Sequence, residues 1–156
     1  MSGIIAAGTP VPDFSLQTYD GEPFTQDDLA GRTTVLVFYP FAFSSVCTDQ
    51  LQVYAEAVDD LRARGVELLG VSTDAPDSQR AFKEKLGISI EQLSDFEPKG
   101  ETARRFGAYF EPAGMTNRAL VIVGPDKVVT WSHLADSPGD LPGVNLIFDA
   151  LEAAPA

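Results

Sequence analysis

One stretch of the chain decides its fold: Val35-Leu36-Val37-Phe38-Tyr39-Pro40-Phe41-Ala42-Phe43-Ser44-Ser45-Val46-Cys47-Thr48-Asp49-Gln50. The run from Thr34 to Tyr39 is almost entirely β-branched and aromatic, which predicts a strand buried on both faces. Beyond it, apolar residues recur at alternating three- and four-residue steps up to Gly65, namely Leu51, Tyr54, Val58 and Leu61. This pattern predicts one amphipathic helix over about 46–64.

A second buried strand is predicted directly after this helix, over Val66 to Ser72. Strand, helix and strand form a βαβ unit, which requires parallel strands joined by a right-handed crossover. Cys47 therefore lies at the carboxyl end of a central strand. In open α/β sheets, this end usually carries the chemistry.

Shorter elements complete the predicted α/β fold. An N-terminal hairpin turns at Asp20-Gly21, and a second hairpin turns at Gly124-Pro125-Asp126-Lys127. Further helices are predicted after Asp77, over 100–106 and over 144–153. This order predicts a mixed central sheet flanked by helices on both faces, in a single domain over residues 1–156.

Composition limits the classes of function. The chain of 156 residues has 11 Lys and Arg against 23 Asp and Glu, a net charge of −12, which disfavours binding to nucleic acid or anionic lipid. We expect no transmembrane helix and no signal peptide, because no apolar stretch of about 18 residues and no basic N-terminal segment occur. One cysteine cannot form an intrachain disulfide, which favours the cytoplasm. Without zinc or phosphate-loop motifs, we expect no metal and no cofactor.

Cys47 is the only cysteine, and its position favours reactivity. A strand-to-helix turn aims backbone N–H groups and the positive end of the helix dipole at the sulfur, which favours the thiolate. Pro40 fixes the chain and can cover one side of a pocket. Ser44, three residues before Cys47, can donate a hydroxyl hydrogen bond to a substrate or sulfur, can cap the helix, or can do both.

The spacing Pro40-x-x-x-Ser44-x-x-Cys47 resembles the active-site motif Pro-x-x-x-Thr/Ser-x-x-Cys of the peroxiredoxin family. The similarity continues in the N-terminal segment 8–14, in Ser94-Asp95, and in Asn117-Arg118 immediately before an apolar strand. Within the family, the chain is most similar to the one-cysteine, AhpE-like actinobacterial subgroup. The resemblance implies a thioredoxin-like fold with an N-terminal hairpin extension.

The resemblance also implies a role for each matching residue. Cys47 would be the peroxidatic nucleophile, Pro40 the pocket shield, Ser44 the hydroxyl that orients the peroxide, and Arg118 the cation that stabilises negative charge. Gln50 would support the arginine. Serine replaces the commoner threonine at position 44, which keeps the hydroxyl but loses the methyl that restricts its rotamer.

These assignments predict a thiol-dependent peroxidase that reduces hydrogen peroxide, organic hydroperoxides or peroxynitrite through a Cys47 sulfenic acid. An external thiol or a redoxin would regenerate the enzyme, and the family suggests a homodimer. The alternative is a noncatalytic thioredoxin-fold binding module or a slow redox sensor, which the rate of peroxide oxidation would distinguish. A Cys47–His133 hydrolase pair is disfavoured, because a lone histidine in a strand is more often structural. Acidic residues such as Asp74 and Asp77 are interpreted as solvated surface.

Overall fold

The computed structural model of the chain describes residues 3–42 and 45–153. Its strands are Ser15–Gln17 (β1), Pro23–Thr25 (β2), Thr33–Phe38 (β3), Val66–Ser72 (β4), Glu91–Ser94 (β5), Tyr109–Phe110 (β6), Met115–Thr116 (β7), Ala119–Val123 (β8) and Val129–Leu134 (β9). Its α-helices are Ser45–Ala55 (α1), Val58–Ala63 (α2), Pro76–Leu86 (α3), Glu101–Phe106 (α4) and Asn145–Ala153 (α5). Two 3-10 turns cover Gln26–Leu29 and Glu111–Ala113.

The central sheet has seven strands in the order β2-β1-β5-β4-β3-β8-β9. β3 pairs parallel with β4, and β4 pairs parallel with β5, as the helical crossovers require. β8 pairs antiparallel with β3 and with β9, and β1 pairs antiparallel with β2. The mixed sheet, the βαβ unit and both predicted hairpins are confirmed. A separate small sheet of β6 and β7 was not predicted, because two-residue strands are too short to show alternation.

Helices cover both faces of the sheet. Alternate residues of β3 point to opposite faces, so this strand contributes side chains to both buried layers. Val35, Val37 and Tyr39 lie in one buried cluster that includes side chains from α1, α2, α3 and α5. Leu36 and Phe38 lie in a second cluster with side chains of α4. Both clusters are fully buried at β3, which accounts for its continuous apolar sequence.

The predicted helix over 46–64 is two helices, α1 and α2, separated at Glu56 and Ala57. The N–H groups of these two residues donate to carbonyls three residues back, at 3.3 Å to Val53 and 3.0 Å to Tyr54. The four positions of the apolar pattern, Leu51, Tyr54, Val58 and Leu61, are spaced on average about 3.3 residues apart, less than the 3.6 of a regular α-helix. One tighter turn therefore keeps all four side chains on the buried face.

Asp95 is a buried carboxylate that holds the start of α4. Its side chain is 3% exposed, and its two oxygens accept the N–H groups of Thr102 at 3.0 Å and Ala103 at 2.9 Å. Burial raises the pKa of Asp95 to about 6, against the opposing effect of these hydrogen bonds. The folded chain therefore binds a proton at Asp95 more tightly than the unfolded chain does.

We predict a pH-dependent difference in stability between the wild type and Asp95→Asn. Because the folded-state pKa lies above the unfolded one, the stability contributed by Asp95 falls as pH rises from about 4 to about 6. The free energy of unfolding of the wild type, minus that of Asp95→Asn, should decrease by on the order of 1 kcal/mol per pH unit in this range. Urea unfolding at several pH values measures it, with exposed Asp20→Asn as control. A difference that stays constant with pH would contradict the prediction.

Candidate active site

Cys47 lies in the first turn of α1, the helix that follows β3 in the chain. Its side chain has no exposed surface and belongs to the buried cluster that contains Tyr39 and Leu51. This placement at a helix N-terminus agrees with the sequence prediction. The first-turn N–H groups and the helix dipole favour a negative charge at this end of the helix.

Arg118 contacts the cysteine directly. Its Nη2 donates a hydrogen bond to Cys47 Sγ at 3.2 Å, although the two residues are 71 positions apart in the chain. The sheet brings them together, because Phe38 near the end of β3 pairs with Ala119 at the start of antiparallel β8. The residue before β8 therefore lies beside the chain that leaves β3.

The guanidinium of Arg118 is held by neutral acceptors. It is 2% exposed and donates from Nη1 to Gln50 Oε1 at 2.6 Å and from Nε to the carbonyl of Pro138 at 2.7 Å. Among residues 3–42 and 45–153, no Asp or Glu pairs with this guanidinium. A buried cation without a counter-charge is costly, so this environment stabilises negative charge at the sulfur that Arg118 faces.

The Pro138 carbonyl belongs to the segment between β9 and α5, which has a second attachment near the site. Tyr54 of α1 is 1% exposed, and its hydroxyl donates to the carbonyl of Pro142 at 2.6 Å. Burial raises the pKa of Tyr54 to about 12, which keeps this hydroxyl a neutral donor. Sequence reasoning missed both acceptors, because a backbone carbonyl has no residue signature.

The predicted site residues are thus brought together in part. Cys47, Arg118 and Gln50 form one connected group. Pro40 is buried two residues after the end of β3 and seven positions before Cys47. Ser44 lies outside the described residues.

Asp74 differs from its predicted surface position. Its side chain is half-buried, and Oδ2 accepts the backbone N–H of Ala42 at 2.6 Å and the hydroxyl of Ser72 at 2.7 Å. Asp77 is exposed and pairs with Arg80, as expected for solvated surface.

The described residues contain no group of three or more His, Cys, Asp and Glu side chains suited to a metal ion. No helix within the same ranges is long and apolar enough to span a membrane.

A family comparison matches most of the chain. The AhpC/TSA family model covers residues 7–132. Peroxiredoxin 2 of Thermoplasma acidophilum is 34% identical over 128 residues, covering 80% of this chain and 64% of that protein. The chain thus spans less than two thirds of that relative's length. Alkyl hydroperoxide reductase E of Mycobacterium tuberculosis is 26% identical over 154 residues, covering 98% of this chain and 100% of the relative.

Solved structures show the same fold. The crystal structure of Enterococcus faecalis AhpC superposes with a TM-score of 0.85 at 30% identity, covering 95% of this chain and 91% of that one. Peroxidoxin BcpB of Mycobacterium tuberculosis superposes with a TM-score of 0.83 at 24% identity, covering 97% of this chain and 99% of that one. The mixed sheet with its N-terminal hairpin is therefore a thioredoxin-like fold.

We predict that Arg118→Met slows the alkylation of Cys47 by iodoacetamide at neutral pH by about tenfold, because an opposite charge within a few ångströms of the sulfur is lost. Arg118→Lys should keep part of the rate, since an ammonium retains the charge without the planar fork of donors. Mass spectrometry of the protein at successive times after addition of iodoacetamide measures the rate. Arg104→Met, at an exposed arginine, is the matched control. An unchanged rate in Arg118→Met would remove Arg118 from the site.

Proposed function

The chain belongs to the AhpC/TSA peroxiredoxin family, and we propose that it is a thiol-dependent peroxidase with Cys47 as its nucleophile. One observation carries the proposal: the buried Arg118 guanidinium donates to Cys47 Sγ at 3.2 Å and has no carboxylate partner among the described residues. A charge-assisted donor at this distance favours the reactive thiolate. The relatives named peroxiredoxin and alkyl hydroperoxide reductase support the same activity.

In the proposed oxidation step, the Cys47 thiolate attacks one peroxide oxygen. A sulfur–oxygen bond forms, the oxygen–oxygen bond breaks, and the departing oxygen takes a proton and leaves as water or an alcohol. The sulfur is oxidised to sulfenic acid and the peroxide is reduced. Negative charge moves from sulfur to the leaving oxygen, so the donors of Arg118 can stabilise both the start and the end of this transfer.

The other predicted residues are proposed to assist this step. Gln50 accepts from Nη1 and so orients the guanidinium while leaving its positive charge uncancelled. Pro40, which is buried beside the end of β3, would shield the reacting atoms from water. Ser44 would orient the peroxide through its hydroxyl, on the strength of the sequence motif.

Regeneration is proposed to use an external thiol or a redoxin, because the chain contains no second cysteine. This thiol attacks the sulfenic sulfur, releases water and leaves a mixed disulfide, which a second thiol reduces.

We further propose a single domain over residues 1–156, a homodimer and a cytoplasmic location. The seven-stranded sheet that includes strands from Ser15 to Leu134 supports the first, and the cysteine content supports the last.

We predict that Cys47→Ser abolishes rapid peroxide consumption without unfolding the chain, since it replaces one polarizable sulfur with oxygen. Intact mass spectrometry of the wild type should show one added oxygen after one equivalent of peroxide, and a mixed disulfide after thiol is added. Stopped-flow traces with several peroxides give the rates. Slow oxidation of the wild type would indicate a redox sensor instead, and consumption by Cys47→Ser at the wild-type rate would rule out Cys47 as the nucleophile.

We predict that Ser44→Ala slows the oxidation of Cys47 by about tenfold or more, as loss of one transition-state hydrogen bond commonly does. Ser44→Thr should react at nearly the wild-type rate, because the hydroxyl is kept. Stopped-flow oxidation with hydrogen peroxide compares the three proteins. Equal rates for serine and alanine would limit Ser44 to capping the helix.

A further inference from the structure

We propose that Asp74 is a positioning residue of the peroxidase site, which fixes the backbone at Ala42, two residues after Pro40. The proposal rests on the proposed function. Asp74 is not part of the Pro-x-x-x-Ser-x-x-Cys segment and follows β4, the strand parallel to β3. It reaches the site from the neighbouring strand.

The link between the two strands is a hydrogen bond of 2.6 Å from the backbone N–H of Ala42 to Asp74 Oδ2. Ala42 is 8% exposed, lies two residues after Pro40 and belongs to the same buried cluster as Cys47. Its N–H lies beyond the end of β3, where the ladder to β4 has stopped. A carboxylate is a stronger acceptor for such an N–H than a neutral group.

Asp74 is itself held in place by buried polar groups. The hydroxyl of Ser72 donates to the same Oδ2 at 2.7 Å and accepts from Gln79 Nε2 at 2.9 Å. Gln79 also donates to the carbonyl of Leu93 at 2.8 Å, and the hydroxyl of Ser94 donates to the carbonyl of Asp74 at 2.5 Å. Strands β4 and β5 and helix α3 thus fix the carboxylate before it contacts Ala42. This is how a side chain is made rigid enough to position a reacting segment.

Two possible roles of Asp74, positioning the backbone and placing a negative charge near Cys47, predict different changes in the rate of Cys47 oxidation when the carboxylate is removed. A negative charge near a thiolate disfavours it, so removing that charge alone should leave Cys47 oxidation unchanged or faster. If the carboxylate instead places the backbone after Pro40, its removal should slow the reaction with peroxide. The direction of the rate change separates the two.

The experiment measures two rates of Cys47 in each variant, namely oxidation by hydrogen peroxide and alkylation by iodoacetamide. Alkylation needs the thiolate but does not require an oriented peroxide. Asp74→Asn keeps an acceptor oxygen at the same place without the charge, whereas Asp74→Glu keeps the charge and moves the oxygens. Thr73→Ala, at a half-buried neighbour in the same loop, is the matched control. Thermal unfolding is recorded for every variant.

We expect Asp74→Ala and Asp74→Glu to lower the rate of oxidation by hydrogen peroxide about tenfold without lowering the rate of alkylation. Both rates should stay within about threefold of wild type in Asp74→Asn and Thr73→Ala. If Asp74→Ala does not fold, Ser72→Ala tests the same link by removing the group that orients the carboxylate, and a selective loss of peroxide rate is expected there too. Unchanged peroxide rates, or equal losses in both reactions, would overturn the proposal while leaving the peroxidase function standing. A wild-type protein that peroxide does not oxidise rapidly would instead overturn the proposed function, and this inference with it.

Discussion

The burial of one positive charge constrains the rest of this structure. Arg118 is 2% exposed, and its guanidinium donates hydrogen bonds to an amide oxygen, a carbonyl oxygen and a sulfur. A guanidinium is stable in such a place only when several elements supply acceptors at once. Helix α1 supplies Gln50 and Cys47, and the segment after β9 supplies the Pro138 carbonyl. The positions of helix α1, of the segment after β9 and of the chain before β8, which carries Arg118, therefore depend on the hydrogen bonds of this single side chain.

Most of the fold could be predicted because each long element has a clear local pattern. The β-branched run of β3 and the turn residues at 20–21 and 124–127 identified the central strand and both hairpins. The division between α1 and α2 could not be predicted, since both helices keep their apolar residues on one face. Patterns report which face is buried, but they do not report how the backbone turns between two buried positions.

The site was predictable to a different extent for each kind of group. The motif and its resemblance identified Cys47, Gln50 and Arg118, which the structure connects by hydrogen bonds. Asp74 was misjudged, because an acidic residue in a polar loop is normally solvated and its partner is a backbone N–H far away in the sequence. Contacts made by main-chain atoms do not depend on residue identity, so they can be identified only once the fold is known.

The long sequence separation between Cys47 and Arg118 has a consequence for how the protein is made. A chain is synthesised from its N-terminus, so the cysteine leaves the ribosome 71 residues before the arginine that contacts it. Until β8 pairs with β3, the sulfur lacks its contact with this cation. For the proposed peroxidase, fast reaction of Cys47 with peroxide is therefore acquired only with the completed sheet, after the arginine has been synthesised.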